Sequence, residues 1–291
     1  MTTTHLAAVA DSFGRDVEQN LAQIETYVQA ARGQGVSLLA FPEACLGGYL
    51  SVLGSGRDGT HAEAPDDLPP AMDLDGPELR RVGELAGDMT VVVGLCEADG
   101  TERYNSAAAV TGDGVLGVYR KVHQPLGESL YYGAGEQILA FESPVGRMGL
   151  LVCYDKAFPE AARALALDDA RVVACISAWP ASRTAGAGDV AQDRWTHRFN
   201  IFDQARALEN QVVWLAANQT GTFGSLRFVG NAKVVGPGGD VLDTTGTAPG
   251  MALASLDLDD VLGTARRSMF HLGDRRPELY RATELVGARR A

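Results

Sequence analysis

Long apolar runs are missing from this 291-residue chain, and so are the short motifs that most often mark an enzyme. No stretch approaches the ~18 consecutive apolar residues of a membrane-spanning helix. The opening Met1-Thr2-Thr3-Thr4-His5 lacks the cationic start and apolar centre of a secretion signal. H-E-x-x-H, G-x-S-x-G and G-x-x-x-x-G-K-[ST] do not occur, so structural-zinc, serine-hydrolase and P-loop readings have no support. Cysteine is scarce: Cys45, Cys96, Cys153 and Cys175 lie far apart, form no C-x-x-C pair, and are expected to be reduced thiols. The histidines (His5, His61, His123, His197, His271) are equally scattered, and no metal site is expected. Positive charge is in deficit, with 25 Lys and Arg against 37 Asp and Glu. A net charge of −12 argues against nucleic acid or an anionic membrane as the main partner. At 46% apolar residues and 7% aromatics there is enough material for a real core. The expectation is a soluble, cytoplasmic globular protein.

Short β-rich runs alternate with amphipathic helices. His5 to Asp11 reads as a first strand, and Ser37 to Phe41 as a buried strand stopped by Pro42. Between them Val17, Leu21, Ile24 and Val28 form one helical stripe, opened by Asp16 and Gln19 in the manner of a capping box. Residues 51–75, rich in Gly, Pro and Asp, read as a long surface loop. A helix is predicted near 77–87, then strands at Thr90–Glu97, Asn105–Val110, Val115–Val122 and Met148–Cys153. Pro159 suits the first position of a further helix. A strand at Val172–Ser177 precedes a long helix near 190–210, in which Trp195, Phe199, Phe202, Ala205 and Leu208 are expected to form the apolar face. Val212–Asn218, Asn231–Val235 and Met251–Leu256 supply further strands, with a turn at Gly236-Pro237-Gly238-Gly239.

No internal repeat or dividing linker is visible, which predicts one α/β layered domain over residues 1–270. Residues 271–291, with several arginines and few apolar residues, are expected to form an extended arm. Gly54-Ser55-Gly56-Arg57-Asp58-Gly59 matches G-x-G-x-x-G, but a dinucleotide fingerprint must leave a strand and open a helix. Asp66, Asp67, Pro69 and Pro70 follow instead, so it reads as a loop.

Three segments set a reactive group at the end of an apolar strand, where an open α/β sheet offers side chains to a crevice. Leu39-Ala40-Phe41-Pro42-Glu43 ends in a carboxylate; Gly117-Val118-Tyr119-Arg120-Lys121-Val122-His123 carries an amine; Leu150-Leu151-Val152-Cys153-Tyr154-Asp155 carries a thiol. Singly, each is more often a solvated strand cap or a core thiol. Together they solve one problem. A thiol with a pKa near ~8.5 needs a base to become a nucleophile. A buried glutamate can take that proton and return it to a leaving amine. An ammonium and a backbone N–H can hold the oxyanion.

With these residues the chain resembles the nitrilase superfamily of carbon–nitrogen hydrolases, whose set is Glu–Lys–Cys. Phe41-Pro42-Glu43-Ala44-Cys45-Leu46-Gly47-Gly48-Tyr49 is similar to the glutamate motif, Tyr119 to His123 to the lysine motif, and Cys153-Tyr154-Asp155-Lys156-Ala157-Phe158-Pro159-Glu160 to the nucleophile motif. Glu128-Ser129-Leu130-Tyr131-Tyr132-Gly133-Ala134-Gly135 resembles the segment holding a second active-site glutamate, in the place of Glu128. Ala205 to Asn210 and Ala217 to Gly221 resemble the late helix–strand pair.

The resemblance implies an αββα four-layer sandwich, a homodimer or larger homo-oligomer, and neither metal nor organic cofactor. It implies Cys153 as nucleophile, Glu43 as acid and base, and Lys121 with the Tyr154 N–H as oxyanion partners. Glu128 would position Lys121 or the substrate, or serve only as an ion-pair partner. Tyr49, His123 and Trp179 are candidate substrate-binding residues; for Trp179 core packing is the alternative, and His123 would share a strand face with Lys121. Arg206, Glu209 and Asn210 are read as fixing their helix.

Tyr154-Asp155 after the cysteine, where nitrilases generally show Trp-Glu, resembles the amidase and carbamoylase branches. The expected substrate is therefore a small linear amide or N-carbamoyl compound, with a nitrile as the alternative. A catalytically inactive binding protein and a Cys–His hydrolase using His123 or His197 are the readings from other classes.

Overall fold

A computed structural model describes residues 3–53 and 67–280. The chain runs β1 (Thr4–Asp11), α1 (Val17–Gly33), β2 (Leu38–Ala40), β3 (Ala71–Met72), α2 (Pro77–Ala86), β4 (Thr90–Asp99), β5 (Glu102–Thr111), β6 (Gly114–Arg120) and β7 (Met148–Val152). It continues with α3 (Pro159–Leu167), β8 (Val172–Ser177), α4 (Arg194–Asn210), β9 (Val213–Gln219), β10 (Thr222–Phe223), β11 (Leu226–Arg227), β12 (Lys233–Val235), β13 (Val241–Thr244), β14 (Gly250–Leu256), α5 (Leu258–Ser268) and α6 (Pro277–Tyr280).

Hydrogen bonding orders the strands as β14-β1-β2-β4-β5-β6 in one layer and β7-β8-β9-β12-β13 in the other. The layers join at one corner, where Ala10 and Asp11 of β1 pair with Asn218 and Gln219 of β9. Alternation along β1 shows how the layers stack. Ala7 and Val9 pack with Leu21, Ile24 and Val28 of α1 and with Leu79 and Val82 of α2. Leu6, Ala8 and Ala10 face the other way, into the larger core shared with β7, β8 and β9. Helices α3 and α4 cover the second sheet. This is the αββα sandwich. Helix α1 forms where the sequence predicts it: Asp16 caps it by accepting from the Gln19 N–H at 3.0 Å. Burying each of Leu21, Ile24 and Val28 contributes roughly 1.5–3 kcal/mol.

Four sequence expectations are corrected. The stripe predicted for α4 does not face the core as a whole: Phe199 is buried, but Leu208 is 46% exposed. The buried face is Thr196, Phe199, Asp203, Arg206, Ala207 and Asn210, because charged partners lie beneath the helix and draw its polar side inward. The strand through Lys121 stops at Arg120, so strand alternation does not place His123 beside Lys121. The strand before Cys153 likewise stops at Val152. Finally, residues 51–75 are not all surface loop, since Leu53 and Met72 are buried and β3 adds to β4 at Cys96 and Glu97. The G-x-G-x-x-G segment at 54–59 lies outside the described residues, as does the arm beyond Tyr280. Among the described residues no helix is long and apolar enough to cross a membrane.

Candidate active site

Parallel strands end together, and the side chains just past their carboxyl ends meet in one place. Glu43 follows β2, Lys121 follows β6, Cys153 follows β7, and Ser177-Ala178 closes β8. Glu43, Lys121 and Glu128 are all 0% exposed. Lys121 Nζ donates to Glu43 Oε1 and to Glu128 Oε1, each at 2.8 Å.

Each carboxylate is held by further donors. Asn105 Nδ2 reaches Glu43 Oε1 at 2.7 Å, and the Ala178 N–H reaches Oε2 at 2.6 Å. The Glu43 backbone is tied to Gln219 Nε2 through its carbonyl at 3.0 Å. The Tyr49 hydroxyl donates to Glu128 Oε1. Glu128 Oε2 and Asn105 Oδ1 are buried and have no hydrogen-bond partner among the described residues. The Glu43 turn lies flat on β4 because residue 94 is glycine: a Cβ there would meet Ala44 N at 2.3 Å and Glu43 Cα at 2.8 Å.

Two carboxylates against one ammonium set the electrostatics. Burial alone pushes Lys121 down, but Glu128 and Glu43 more than reverse this and hold its pKa well above the ordinary value. Burial and the charge of Glu43 raise Glu128 towards neutrality, with Lys121 opposing. Cys153 is buried within reach of the same charges. Burial, then Glu43, push its thiol well up, and Lys121 pulls it back. Burial thus favours the neutral thiol over the thiolate.

Cys153 adopts φ +51°, a left-handed conformation that costs a non-glycine residue about 1–3 kcal/mol unless its surroundings impose it. Asp155 does so. Its Oδ2 accepts from the Val152 N–H at 3.1 Å, and its Oδ1 accepts from the His123 N–H at 2.9 Å and contacts His123 Nδ1 at 2.8 Å. A 3-10 turn over Cys153–Ala157 then leads into α3. The Tyr154 N–H lies in its first turn, where backbone donors have no partner within the helix. Arg206 Nε fastens the turn to α4 by donating to the Lys156 carbonyl at 2.8 Å, while its guanidinium pairs with Glu209.

The structure brings Glu43, Lys121, Glu128 and Tyr49 into direct contact, with Cys153 alongside. His123 is directed elsewhere: its ring stacks on Phe158 at 3.7 Å and holds Asp155. Trp179 is 5% exposed, among Trp195, Phe199 and Phe202, with its indole N–H donating to the Trp195 carbonyl. His197 is exposed on α4. The sequence reading missed Asn105 and the Ala178 N–H. The signal for Asn105 was a single amide among the apolar residues of β5; a backbone donor leaves none. The cavity of about 460 Å³ beside β5 and β6, lined by Glu97, Tyr104, Arg120 and Glu136, includes none of these groups.

Known proteins resemble this chain over nearly its whole length. The carbon–nitrogen hydrolase family model matches residues 6–266. An N-carbamoylputrescine amidase of Solanum tuberosum is 30% identical over 293 residues, covering 95% of this chain and 93% of its own. An (R)-stereoselective amidase of Pseudomonas sp. is 31% identical over 264 residues, covering 90% and 87%. The amidase of Nesterenkonia sp. AN1, solved with the acetamide moiety of fluoroacetamide bonded to its active-site cysteine, superimposes with a TM-score of 0.73 at 28% identity, covering 96% of each chain. Two buried carboxylates on one ammonium, a thiol on a strained strand end and a family match over nearly the whole length agree: this chain belongs to the carbon–nitrogen hydrolases.

Proposed function

We propose that the protein hydrolyses the C–N bond of a small linear amide or N-carbamoyl compound through a thioester on Cys153. The observation that carries this reading is Glu43, fully buried and held by Lys121, Asn105 and Ala178 in one orientation beside the thiol. Glu43 takes the Cys153 proton as Sγ attacks the carbonyl carbon. The oxygen becomes an oxyanion facing Lys121 Nζ and the Tyr154 N–H, worth several kcal/mol in a water-poor site. Glu43 then gives its proton to the nitrogen, the C–N bond breaks, and ammonia or an amine departs. Water, deprotonated by Glu43, attacks the thioester; Sγ leaves and recovers the proton, and the acid is released. The unpartnered Glu128 Oε2 is an acceptor for the substrate N–H, while Oε1 keeps Lys121 and Tyr49 in place.

Relatives named for amidase and N-carbamoyl amidase activity support the substrate class. A Cys–His mechanism is disfavoured, because His123 is committed to Asp155 and His197 faces solvent. We infer further that the chain pairs with itself in the cytoplasm. Four free cysteines suit a reducing compartment, and the exposed Met269 and Phe270 at the start of the 271–291 arm, with Leu279 and Tyr280 within it, suit a subunit contact.

The test is trapping and comparison. Mass spectrometry of quenched turnover should find the acyl group on the Cys153 peptide, and Cys153→Ala should abolish turnover while Ala at Cys45, Cys96 or Cys175 leaves appreciable activity. One side chain presented as amide and as nitrile should give the higher kcat/KM as amide. An acyl group on another cysteine defeats the site assignment; nitriles winning across several side chains replaces the amidase reading with the nitrile one.

A further inference from the structure

Beside the candidate site the fold buries a second charged cluster that the proposed mechanism does not use. Lys156 and Asp203 are 0% exposed and Lys233 is 2% exposed. Lys156 Nζ donates to Asp203 Oδ1 at 2.7 Å, and Lys233 Nζ to Asp203 Oδ2 at 2.9 Å. Trp214 Nε1 completes the carboxylate at 3.0 Å. Both ammoniums rest on the Phe199 ring, at 3.4 and 4.1 Å from its centroid, and Lys156 also lies 5.6 Å from the Trp179 ring. Two cations share one anion, so the cluster holds one positive charge in excess. It faces a candidate site of the opposite excess, Glu43 and Glu128 on the one Lys121, while Arg206 is paired with Glu209 and the Asp155 carboxylate is held by His123 and the Val152 N–H.

A buried excess charge is costly and needs a reason. Its position supplies one. Lys156 leaves the same 3-10 turn as Cys153, three residues on, which in such a turn is about one full turn and roughly 6 Å of rise. Lys233 on β12 lies across from Ala216 of β9, which in turn pairs with Cys175 of β8. The cluster thus backs onto the turn that carries the nucleophile, on the α4 side.

We propose that Lys156, Asp203 and Lys233 act as positioning residues that hold a fixed positive potential behind Cys153, favouring the thiolate and the anionic tetrahedral intermediate over the resting thiol. The electrostatics agree in sign: Lys156 is one of the two cations that pull the Cys153 thiol down, against burial, Glu43 and Glu128. A unit charge about 10 Å away at an effective dielectric of about 20 corresponds to roughly tenfold in thiolate population. The groups facing Lys233 are Asp203 from α4, Lys156 from the nucleophile turn, and the Cys175 thiol from β8. Burial, with Lys156 adding to it and Asp203 opposing, lowers Lys233 to about 8, so the excess charge is present at neutral pH and fades above.

The proposal rests on Cys153 being the nucleophile, and the experiment separates the two. Lys233→Met leaves Lys156 and Asp203 as a neutral pair. Its folded state should be retained by thermal melting. Iodoacetamide should alkylate Cys153 roughly tenfold more slowly near neutral pH, with kcat lowered similarly and KM little changed. Any fall in wild-type kcat/KM above about pH 8 that arises from Lys233 should vanish in the variant. Alkylation and kcat indistinguishable from wild type across the pH range overturn the proposal. Should Lys233→Met not fold, Lys156→Met carries the same expectation, and failure of both to fold assigns the cluster a structural role only. If the wild-type protein is not labelled at Cys153 at all, the nucleophile reading itself fails.

Discussion

Removing the shared ammonium of the site should do more harm to folding than removing either carboxylate. Lys121 satisfies Glu43 and Glu128 at once, both fully buried, through two bonds of 2.8 Å. Lys121→Met fills the same volume but leaves two carboxylates facing each other in the interior. Breaking a buried pair from one side costs about 3–5 kcal/mol, a large share of the roughly 5–15 kcal/mol of a whole domain. The loss should depend on pH with a definite sign. Burial and Glu43 already raise Glu128 despite Lys121, and without that cation Glu128 must bind its proton still more tightly folded than unfolded. Above the unfolded carboxylate range, near pH 4.5, the native variant then holds more protons than its unfolded chain, so its stability falls as pH rises. In the wild type Lys121 is held above its ordinary value, so its own contribution is fully present at acid and neutral pH. Urea denaturation should therefore show a wide gap between variant and wild type at about pH 8 that narrows towards about pH 5. Glu128→Gln in the same chain should recover part of the loss, since one carboxylate less remains to be neutralised. A Lys121→Met protein as stable as wild type, or a deficit constant across that range, refutes the argument.

Two further outcomes follow from packing. Gly94→Ala puts a methyl group into the Glu43 turn, against Ala44 N at 2.3 Å and Glu43 Cα at 2.8 Å, and neither is the end of a flexible side chain. It should cost at least about 1–3 kcal/mol as overpacking and lower kcat more than it raises KM; wild-type kinetics would show that the turn is not held by β4. Truncation after Ser268 keeps α5, whose Leu258 and Leu262 are buried, and removes a segment in which Met269, Phe270, Leu279 and Tyr280 are exposed and Leu272 touches the core. Sedimentation should show a shift towards monomer with the fold intact by circular dichroism, whereas an unchanged oligomer or a monomeric parent refutes the proposed contact.

Glu43, Lys121 and Cys153 were legible in the sequence because each sits in a short segment at the end of an apolar strand, and a local pattern is enough to mark such a place. Strand and helix positions were legible for the same reason: α1 shows its buried stripe in its own residues. What joins the segments was not. Lys121 lies 78 positions from Glu43, and the Ala178 N–H 135, distances along the chain that only the order of strands in the two sheets closes. Helix α4 marks the limit most clearly. Its apolar residues suggested one face, but the face that is buried carries Asp203 and Arg206. A charged side chain is buried only where partners already wait, and those partners, Lys156 and Lys233, come from a turn and a strand on either side of it in the sequence. Hydrophobic periodicity measures one element's preference for leaving water. Pairing of buried charge belongs to several elements at once, so tertiary structure alone decides it.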